Sequence, residues 1–362
     1  ITFIGDWVNE AWKSEDERQI DYLRLGLDPI LILSPPWQHH PDVKAQIEMK
    51  NLSSEEYPLL VKNYDTPKGL LRQVVLKTPD WPHGNDVPLF SDHIIPASRS
   101  KERLINSYDD LKKLRYILCE PSSDQIRRFR QEAQKMKEYA NEKGFLLTAD
   151  GGYGGDAAIW LCGIERVVAA AYKEPNFLRQ ILNIIHEWDL IRTKESLEIG
   201  VDVIRRRGWY ESPPFWSPKL YKRYLEPLIQ EEIEMVHKAN LKFHYILCTG
   251  IAQLLPILTA LDIDLFDGVD PVANRIDLNV IRKSFPNTCI RGGISEAVTL
   301  TQGTPQEIRK AVKRAIEALA PGGGFILGTI YSILTRETWK RKAPLLIETW
   351  KRFRRYPIDR LR

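Results

Sequence analysis

Cysteine and long apolar runs are both scarce in this chain of 362 residues. Its four cysteines lie far apart and form no Cys-x-x-Cys pair, which argues against a disulfide framework and a structural zinc knuckle. No apolar run approaches the roughly 20 residues that a membrane helix needs, and the first residues lack the pattern of a signal peptide. We therefore expect a cytoplasmic protein with no membrane partner. Because the chain begins with Ile1 rather than Met, we also expect a few residues upstream of it.

An excess of charge of one sign is missing as well. The chain has 52 basic and 48 acidic residues, spread along its length, and a net charge of +4. No basic stripe is interleaved with aromatic residues, so nucleic acid is not an expected partner. The hydrophobic fraction of 43% and the charged fraction of 28% are typical of a globular protein. The length favours one large domain, of which the α/β barrel is a common example.

From about residue 144 onward, short apolar runs alternate with longer amphipathic stretches. Runs of this kind predict buried strands at Gly144–Asp150, Val201–Ile204, Phe243–Leu247, Leu265–Phe266, Cys289–Arg291 and Gly324–Leu327. The stretches between them predict helices at Pro218–Ala239, Pro305–Leu319 and Glu337–Phe353. Thr304 and Glu307 form a capping box at the start of the second of these helices. Strand–helix repetition of this kind implies parallel strands with right-handed crossovers.

The N-terminal part is less regular. Leu27–Leu33 is a candidate early strand, and Asp124–Lys143 has the pattern of a helix. Between them, residues 37–115 are rich in proline and contain short strand-like runs. We interpret residues 37–115 as an irregular insertion or cap that contains a hairpin and belongs to a single domain over residues 1–362.

In a parallel barrel, the loops that follow the strands converge on one end, so polar residues just after each apolar run are the informative ones. Carboxylates and tyrosines meeting at such a rim would suit acid–base chemistry or the binding of a polar substrate. The candidates at these positions are Asp150, Tyr153, Trp209, Tyr210, Glu211, Cys248, Asp267, Arg291 and Tyr331.

Several of these features also have ordinary structural explanations. A carboxylate in the position of Asp150 often caps a turn. The segment Gly151–Gly155 looks like a phosphate loop but matches neither Gly-x-Gly-x-x-Gly nor the P-loop pattern. Arg205–Arg207 either pairs with substrate carboxylates or is a solvated charge run. His244 lies inside an apolar strand, where it is either a core histidine with its hydrogen bonds satisfied or a site residue.

An ordered series of motifs resembles the uroporphyrinogen decarboxylase superfamily over about residues 60–335. The series comprises Tyr64–Gly69, Tyr108–Tyr116, Ser217–Pro227, Lys242–Gly250, Asp262–Asp264, Gly292–Ile294, Gly303–Glu307 and Gly322–Leu327. This resemblance implies a distorted (β/α)8 TIM barrel with a deep cleft at the strand C-termini. It also implies one of two activities, because the superfamily contains tetrapyrrole decarboxylases and methyltransferases that work with corrinoid proteins.

The chain departs from the decarboxylases. They resemble one another in an N-terminal Arg-Gln-Ala-Gly-Arg segment, which is missing near residues 1–40. Their Gly-x-Pro-Phe-Thr segment corresponds best to Gly155–Ala158, which puts Ile159 or Trp160 where a catalytic tyrosine should stand. Phe90-Ser-Asp92 echoes the segment that holds their catalytic aspartate, but the spacing to Tyr108 is too short, so we treat Asp92 as a coincidence.

The chain also departs from the methyltransferases, which resemble one another in a His-x-Cys-Gly segment and a later Cys that together hold zinc. Leu247-Cys-Thr-Gly250 stands in place of that segment, and Tyr331 falls near the later Cys. His244 and Cys248 are no substitute, because four residues of extended strand span about 13 Å, too far for two ligands of one zinc ion. We therefore predict no zinc or other metal site.

The favoured hypothesis is a methyltransferase or demethylase that passes a methyl group from a small methylated substrate to a corrinoid (cobalamin) carried by a partner protein. Without zinc, a general acid must protonate the leaving group. The candidate catalytic residues are Glu211, Tyr210, Asp150, Tyr331 and His244. The candidate substrate-binding residues are Tyr153, Trp160, Trp209, Cys248, Asp267 and Arg291.

Two alternatives stay open. The first is a lyase, a metal-independent decarboxylase of a tetrapyrrole or another carboxylic acid, in which Arg205–Arg207 and Arg291 would hold carboxylates. The second is a non-catalytic ligand-binding protein on the same scaffold. A homodimer is compatible with the sequence in each case.

Overall fold

The computed structural model describes residues 15–329, 336–356 and 358. In chain order, its strands are β1 (Ile30–Leu33), β2 (Lys44–Lys50), β3 (Leu59–Thr66), β4 (Gly69–Leu76), β5 (Ser100–Glu102), β6 (Leu146–Asp150), β7 (Val203–Gly208), β8 (Lys242–Leu247), β9 (Leu265–Val269), β10 (Cys289–Ile294) and β11 (Phe325–Thr329). Its helices are α1 (Glu15–Arg24), α2 (Tyr108–Ile117), α3 (Ser123–Lys143), α4 (Gly154–Cys162), α5 (Ile164–Lys173), α6 (Pro175–Ile199), α7 (Pro218–Tyr224), α8 (Glu226–Lys238), α9 (Ile251–Leu258), α10 (Leu278–Ser284), α11 (Pro305–Leu319) and α12 (Arg336–Phe353). None of these helices is long and apolar enough to cross a membrane.

Seven of the strands form a parallel sheet in the order β1-β6-β7-β8-β9-β10-β11. Each run that predicts a strand from residue 144 onward lies in this sheet, as does the early strand near Leu33. The strands that follow β6 are added in chain order, and helices connect them and pack against the sheet. The prediction of an α/β fold with parallel strands is therefore confirmed.

The predicted closed (β/α)8 barrel is confirmed only in part. Among the described residues, β1 and β11 lie at opposite edges of the sheet and do not pair with each other. The physical reason lies between β1 and β6, where the chain forms an antiparallel sheet in place of a second parallel strand. The sheet has seven parallel strands rather than the predicted eight.

The antiparallel sheet has the order β2-β3-β4-β5 and occupies much of the segment that we interpret as an insertion. β3 and β4 form a hairpin that turns at Thr66 and Gly69. The Thr66 hydroxyl donates to the Gly69 carbonyl at 2.7 Å, and Gly69 has a φ of 113°, which favours glycine. Leu60 and Val75 of this sheet are buried in the same core as the parallel strands.

Capping residues define the ends of the long helices. Ser122 and Gln125 form a capping box before α3, and Gly144 ends that helix in the left-handed conformation. Thr304 and Glu307 form the predicted capping box of α11. The single helix predicted over Pro218–Ala239 is wrong, because the chain forms α7 and α8 with a break at Leu225. The second helix begins at Glu226 with Pro227 in its first turn, since proline has no N–H to donate within a continuous helix.

Candidate active site

A row of charged and polar side chains crosses one face of the parallel sheet. We call it the inner row, and its members are Asp150 on β6, Arg205 on β7, His244 on β8, Asp267 on β9 and Arg291 on β10. Arg205 is in register with Asp150 on one side and with His244 on the other. Arg291 is in register with Asp267. Five neighbouring strands therefore contribute one member each.

The inner row lies on the face of the sheet that points away from α8. Arg206 forms an ion pair with Glu232 of α8, so the Arg206 side chain points toward the helices. Because successive side chains of a strand point to opposite faces, Arg205 and Arg207 point the other way. We call this second face the inner face.

Within the inner row, acids and bases are paired. Arg205 Nε donates to Asp150 Oδ1 at 2.9 Å, and the Arg291 guanidinium donates to Asp267 Oδ2. His244 Nε2 lies 3.3 Å from the same Asp267 oxygen. The side chain of Arg205 is 22% exposed and that of Asp150 is 15% exposed, whereas that of Asp267 is 1% exposed. Solvent therefore reaches the Asp150–Arg205 end of the row.

Electrostatic coupling sets the charge of the buried end of the row. Burial alone would raise the pKa of Asp267, but Arg291 and His244 outweigh it and hold the pKa below its usual value. Burial lowers the pKa of His244, and Asp267 offsets this effect only in part. Asp267 is therefore an anion, and His244 is mainly neutral at neutral pH.

A second cluster, the rim cluster, lies at the C-terminal ends of the strands around Arg207. The Arg207 guanidinium donates to Asp156 at 3.0 Å and to both oxygens of Asp92 at 2.9 and 3.0 Å. It also lies 4.6 Å from the ring centroid of Trp160 and 4.5 Å from that of Trp209. Trp160 Nε1 donates to Asp92 Oδ1 at 3.1 Å. Two acids and two indoles thus surround one arginine.

Asp156 ties the rim cluster to the loop after β7. It is fully buried, and its carboxylate accepts backbone N–H groups from Trp209 at 3.1 Å and Tyr210 at 2.7 Å. Burial raises its pKa to about 7, although Arg207 opposes the shift. Asp156 therefore positions Trp209 and Tyr210 rather than facing open space.

Aromatic rings pack beside the rim cluster. The rings of Tyr153 and Trp160 lie 5.8 Å apart, and Phe90 lies 5.5 Å from each. The Tyr210 ring is 6.5 Å from that of Trp160. Cys248 is buried, and burial raises the pKa of its thiol far above the ordinary value, so Cys248 does not supply a thiolate at neutral pH.

The glycine-rich segment after β6 is held from the helix side of the sheet by two buried carboxylates. Asp189 Oδ2 accepts the N–H groups of Tyr153 at 2.9 Å and Gly154 at 3.1 Å. Glu211 Oε1 accepts the N–H of Gly155 at 2.8 Å. These are the groups that a phosphate would use at the start of α4. The resemblance of this segment to a phosphate loop therefore has a structural explanation.

Behind this segment lies a set of buried polar side chains, the back cluster, which comprises Arg206, Glu211, Glu232, Tyr245, Asp189 and His186. Arg206 Nη2 donates to Glu211 Oε1 at 2.6 Å, and the Tyr245 hydroxyl donates to Glu211 Oε2 at 2.7 Å. A Cβ at Gly154 would lie 2.0 Å from Arg206 Nη2, and Gly154 has a φ of +40°. Only glycine fits where the loop crosses this arginine.

The structure contradicts the prediction that Glu211 lies at the barrel mouth. Glu211 belongs to the back cluster and pairs with Arg206, whereas Asp150 pairs with Arg205 on the inner face. The two carboxylates thus lie on opposite faces of the sheet and share no hollow. The physical reason is that buried Arg206 needs a counter-charge, and the turn after β7 brings Glu211 back to it. Tyr331, the third expected partner, lies outside the described residues.

The other candidates fall into two groups. Asp150, His244, Asp267 and Arg291 come together in the inner row, while Tyr153, Trp160, Trp209 and Tyr210 lie in or beside the rim cluster. Asp156 is missing from the candidates chosen from the sequence, and Asp92 is treated there as a coincidence. Arg207 enters only within the run Arg205–Arg207, as a holder of substrate carboxylates or as a solvated charge. Successive side chains of a strand point to opposite faces, so this alternation would have assigned Arg206 to one face and Arg205 and Arg207 to the other.

The structure also shows whether zinc fits in place of the missing motif. Leu247 and Thr249 stand at the positions of the ligands, and Leu247 is fully buried in the core. Among the residues that the structure describes, no group of three His, Cys, Asp or Glu side chains is placed to hold a metal ion. These residues do not fit the zinc site of the methyltransferases, so we derive no step through zinc.

Comparison with known families decides the affiliation of the chain. The family model described as uroporphyrinogen decarboxylase (URO-D) matches residues 155–340, which is more than half of the chain. The chain belongs to the uroporphyrinogen decarboxylase family. The matched segment of this URO-D family member contains the rim residue Asp156 and four of the five positions of the inner row.

The likeness to one solved structure covers most of the length of this URO-D family member. A methyltransferase from Methanosarcina mazei has a TM-score of 0.52 and 16% sequence identity over 93% of this chain and 84% of that one. A B12-independent methionine synthase from Shewanella sp. W3-18-1, in complex with selenomethionine, has a TM-score of 0.47 and 12% identity over 92% of this chain and 85% of that one. At 16% identity, the likeness to the methyltransferase concerns the fold alone. No curated protein matches the chain.

Proposed function

We propose that this chain is a methyltransferase-like enzyme of the URO-D family that acts on a small polar substrate at the inner face of the sheet. In this proposal the seven strands are most of a distorted (β/α)8 barrel, and the inner face lines its cleft. The main support for this proposal is the presence of the inner row on that face. The interior of such a barrel is normally filled by apolar side chains, and buried charges are costly unless they are paired or bind a ligand.

The inner row contains one candidate proton donor next to a fixed anion. When His244 is protonated, Nε2–H faces Asp267, and Nδ1–H, which has no hydrogen-bond partner among the described residues, can face a ligand. Glu211 is removed from the mouth, and Asp150 is the partner of Arg205. His244 thus replaces Glu211 as our first candidate for the general acid, with Asp267 and Arg291 as its positioning residues.

The reaction fits this arrangement. The acceptor that we expect is still a corrinoid carried by a partner protein, which would supply a low-valent cobalt nucleophile for the methyl group when bound. On the substrate, the bond between the methyl carbon and its heteroatom breaks, and its electron pair stays on the heteroatom. The His244 imidazolium gives that heteroatom its proton, because an ether or amine leaves poorly as an anion. Tyr153, Trp160 and Trp209 would form the apolar walls.

The direct test measures methyl transfer to a corrinoid protein, by the absorbance of the methylated corrinoid, with a panel of methoxy and methylamine donors. We expect His244→Gln to lower the rate by roughly 10²–10⁴-fold. We also expect the wild-type rate to fall as the pH rises, because the lowered pKa of His244 leaves less imidazolium.

A matched control is His237→Gln. His237 pairs with Asp264 near the opposite ends of the strands, so its loss should leave the rate unchanged. An equal loss in both variants, or no transfer from any donor by the wild type, would contradict the proposal. Binding of donors without turnover would instead favour the non-catalytic alternative.

The rim cluster favours a second candidate function, decarboxylation. Asp92 lies in the segment that resembles the catalytic segment of the decarboxylases, and it binds Arg207 and Trp160. Arg205 and Arg291 on the inner face could orient further carboxylates of a substrate. Release of carbon dioxide from a porphyrinogen or a smaller acid, with loss of that activity in Asp92→Asn, would select this function over methyl transfer.

A further inference from the structure

Strand β2 forms a free edge of the antiparallel sheet. It pairs with β3 on one side, and no other strand among the described residues pairs with its second side. Every residue from Lys44 to Met49 is exposed. A free edge presents unpaired backbone N–H and C=O groups, which can pair with another strand.

On the core-facing side of this edge, β2 has apolar side chains that the rest of the described chain leaves exposed. Met49 is in register with Leu60, which is fully buried in the core, and Ala45 is in register with the buried Tyr64. Ile47 and Met49 thus continue the buried side of the sheet, yet they are 37% and 51% exposed. Burial of these exposed apolar side chains would stabilise pairing with a partner strand.

We propose that β2 pairs with β2 of a second copy of this chain, antiparallel and about a two-fold axis at Gln46. In this register Lys44 lies opposite Glu48 of the second copy and Ala45 lies opposite Ile47, each twice by symmetry. Lys44 and Glu48 on the polar side therefore each meet an opposite charge, and the apolar residues meet on the core-facing side.

The neighbouring registers lack this complementarity. A two-fold axis perpendicular to the sheet keeps each side chain on its own face. One residue of β2 must therefore lie opposite the same residue of the second copy, with the axis midway between them. An axis at Ile47 places Lys44 opposite Lys50, and an axis at Glu48 places that carboxylate opposite itself. An axis at Ala45 places Lys44 opposite Gln46 and leaves Glu48 with no charged partner on β2 of the second copy. Like charges directly opposite each other destabilise a sheet, so the register at Gln46 is selected.

Self-complementarity indicates a second copy as the partner, because a two-fold dimer joins one surface patch to itself. If the partner were an unrelated strand, the charges of β2 would not need to be complementary to β2 itself read in the opposite direction. The paired segment is short, and stable dimers bury about 1,200–2,000 Å². We therefore expect a reversible dimer whose population depends on concentration.

The test is sedimentation velocity over a range of protein concentrations. We expect the mass to rise from 41.9 kDa toward twice that value for the wild type. Lys44→Glu or Glu48→Lys alone places like charges opposite each other at two symmetric positions and should raise the dissociation constant about tenfold or more. The double variant restores both pairs and should regain dimerisation.

Mixing the two single variants gives the most specific result. Each should be mainly monomeric alone, but an equimolar mixture should form a heterodimer, because every altered residue then faces its opposite charge. Lys68→Glu, an equal charge change in the exposed turn between β3 and β4, is the matched control and should leave the dimer intact. A wild type that stays monomeric, as when another segment covers the edge, would overturn the proposal. So would a dimer that tolerates both single reversals.

Discussion

Arg205 and Arg206 are neighbours on β7, but their surroundings differ in every respect that matters for function. Arg205 lies on the inner face, pairs with Asp150 and is 22% exposed. Arg206 lies on the helix side, is fully enclosed and pairs with Glu211 and Glu232. The same strand thus places one guanidinium where a ligand can reach it and the next where only the protein can.

This difference separates two uses of buried charge. In the back cluster the charges neutralise one another and bind the backbone at the start of α4, so their role is structural. At the Asp150–Arg205 end of the inner row the charges are paired but partly exposed, so a substrate can compete for them. Removing one partner of a fully buried pair leaves an uncompensated charge, whereas solvent can screen a partly exposed one.

The largest expected effect is on stability when the central charge of the back cluster is removed. We expect Arg206→Leu to lower the free energy of unfolding by about 3–5 kcal/mol, because Glu211 and Glu232 lose their shared cation inside the protein. Arg205→Leu, the same change one residue away, should cost about 1 kcal/mol or less. Urea unfolding measures both, and equal losses would contradict the division between the faces.

The next largest expected effect is on the pH dependence of the free energy of unfolding. Burial and the nearby Glu232 raise the pKa of Asp189 to about 7. One Asp189 oxygen, Oδ1, and one Glu232 oxygen, Oε2, find no hydrogen-bond partner among the described residues. Since the unfolded chain releases this proton near pH 4, the contribution of Asp189 to stability is present below about pH 4 and is lost as the pH rises through about 7.

We expect this loss to be on the order of 2–4 kcal/mol between about pH 4 and 8. Asp189→Asn can still accept the N–H groups of Tyr153 and Gly154 but does not titrate, so its stability should vary less over this range. Unfolding measured at several pH values compares the two proteins. Parallel curves for wild type and variant would show that Asp189 is ionised throughout.

Glu211→Gln has a smaller effect and tests whether Glu211 belongs to the back cluster only. We expect a loss of about 2 kcal/mol in unfolding free energy, because hydrogen bonds to a charged partner are worth about 1.5–3 kcal/mol. Turnover per folded molecule should stay unchanged, since Glu211 lies on the helix side of the sheet. Asp150→Asn is the inner-face counterpart and should change turnover more than stability. Loss of turnover in Glu211→Gln at unchanged stability would return Glu211 to the active site.

The two faces also show what sequence reasoning could predict. The strand ends were predictable because apolar runs, glycines and caps mark them locally, and Asp150, Asp267 and Arg291 of the inner row were chosen on that basis. His244 was chosen instead as a polar residue inside an apolar strand. The location of Glu211 was not predictable. A carboxylate after a strand can face the barrel mouth or turn back toward the helices, and here the choice depends on Arg206, whose orientation follows from the strand register. The hairpin of the antiparallel sheet was predictable from short strand-like runs, whereas the place of Asp92 in the rim cluster depends on contacts between distant segments that no local pattern encodes.

The smallest expected effect tests the link between the rim cluster and the cap segment. Trp160→Phe keeps an aromatic ring beside Phe90 but removes the donor to Asp92, so we expect a loss of about 1 kcal/mol in unfolding free energy. Trp209→Phe is the control, because its ring stacks on Arg207 without contributing a hydrogen bond to Asp92. If the rim cluster contacts substrate, Trp160→Phe should also raise KM while kcat changes little, because Asp92 remains fixed by Arg207. Unchanged stability and KM would place the Trp160–Asp92 bond outside both the folding core and the site.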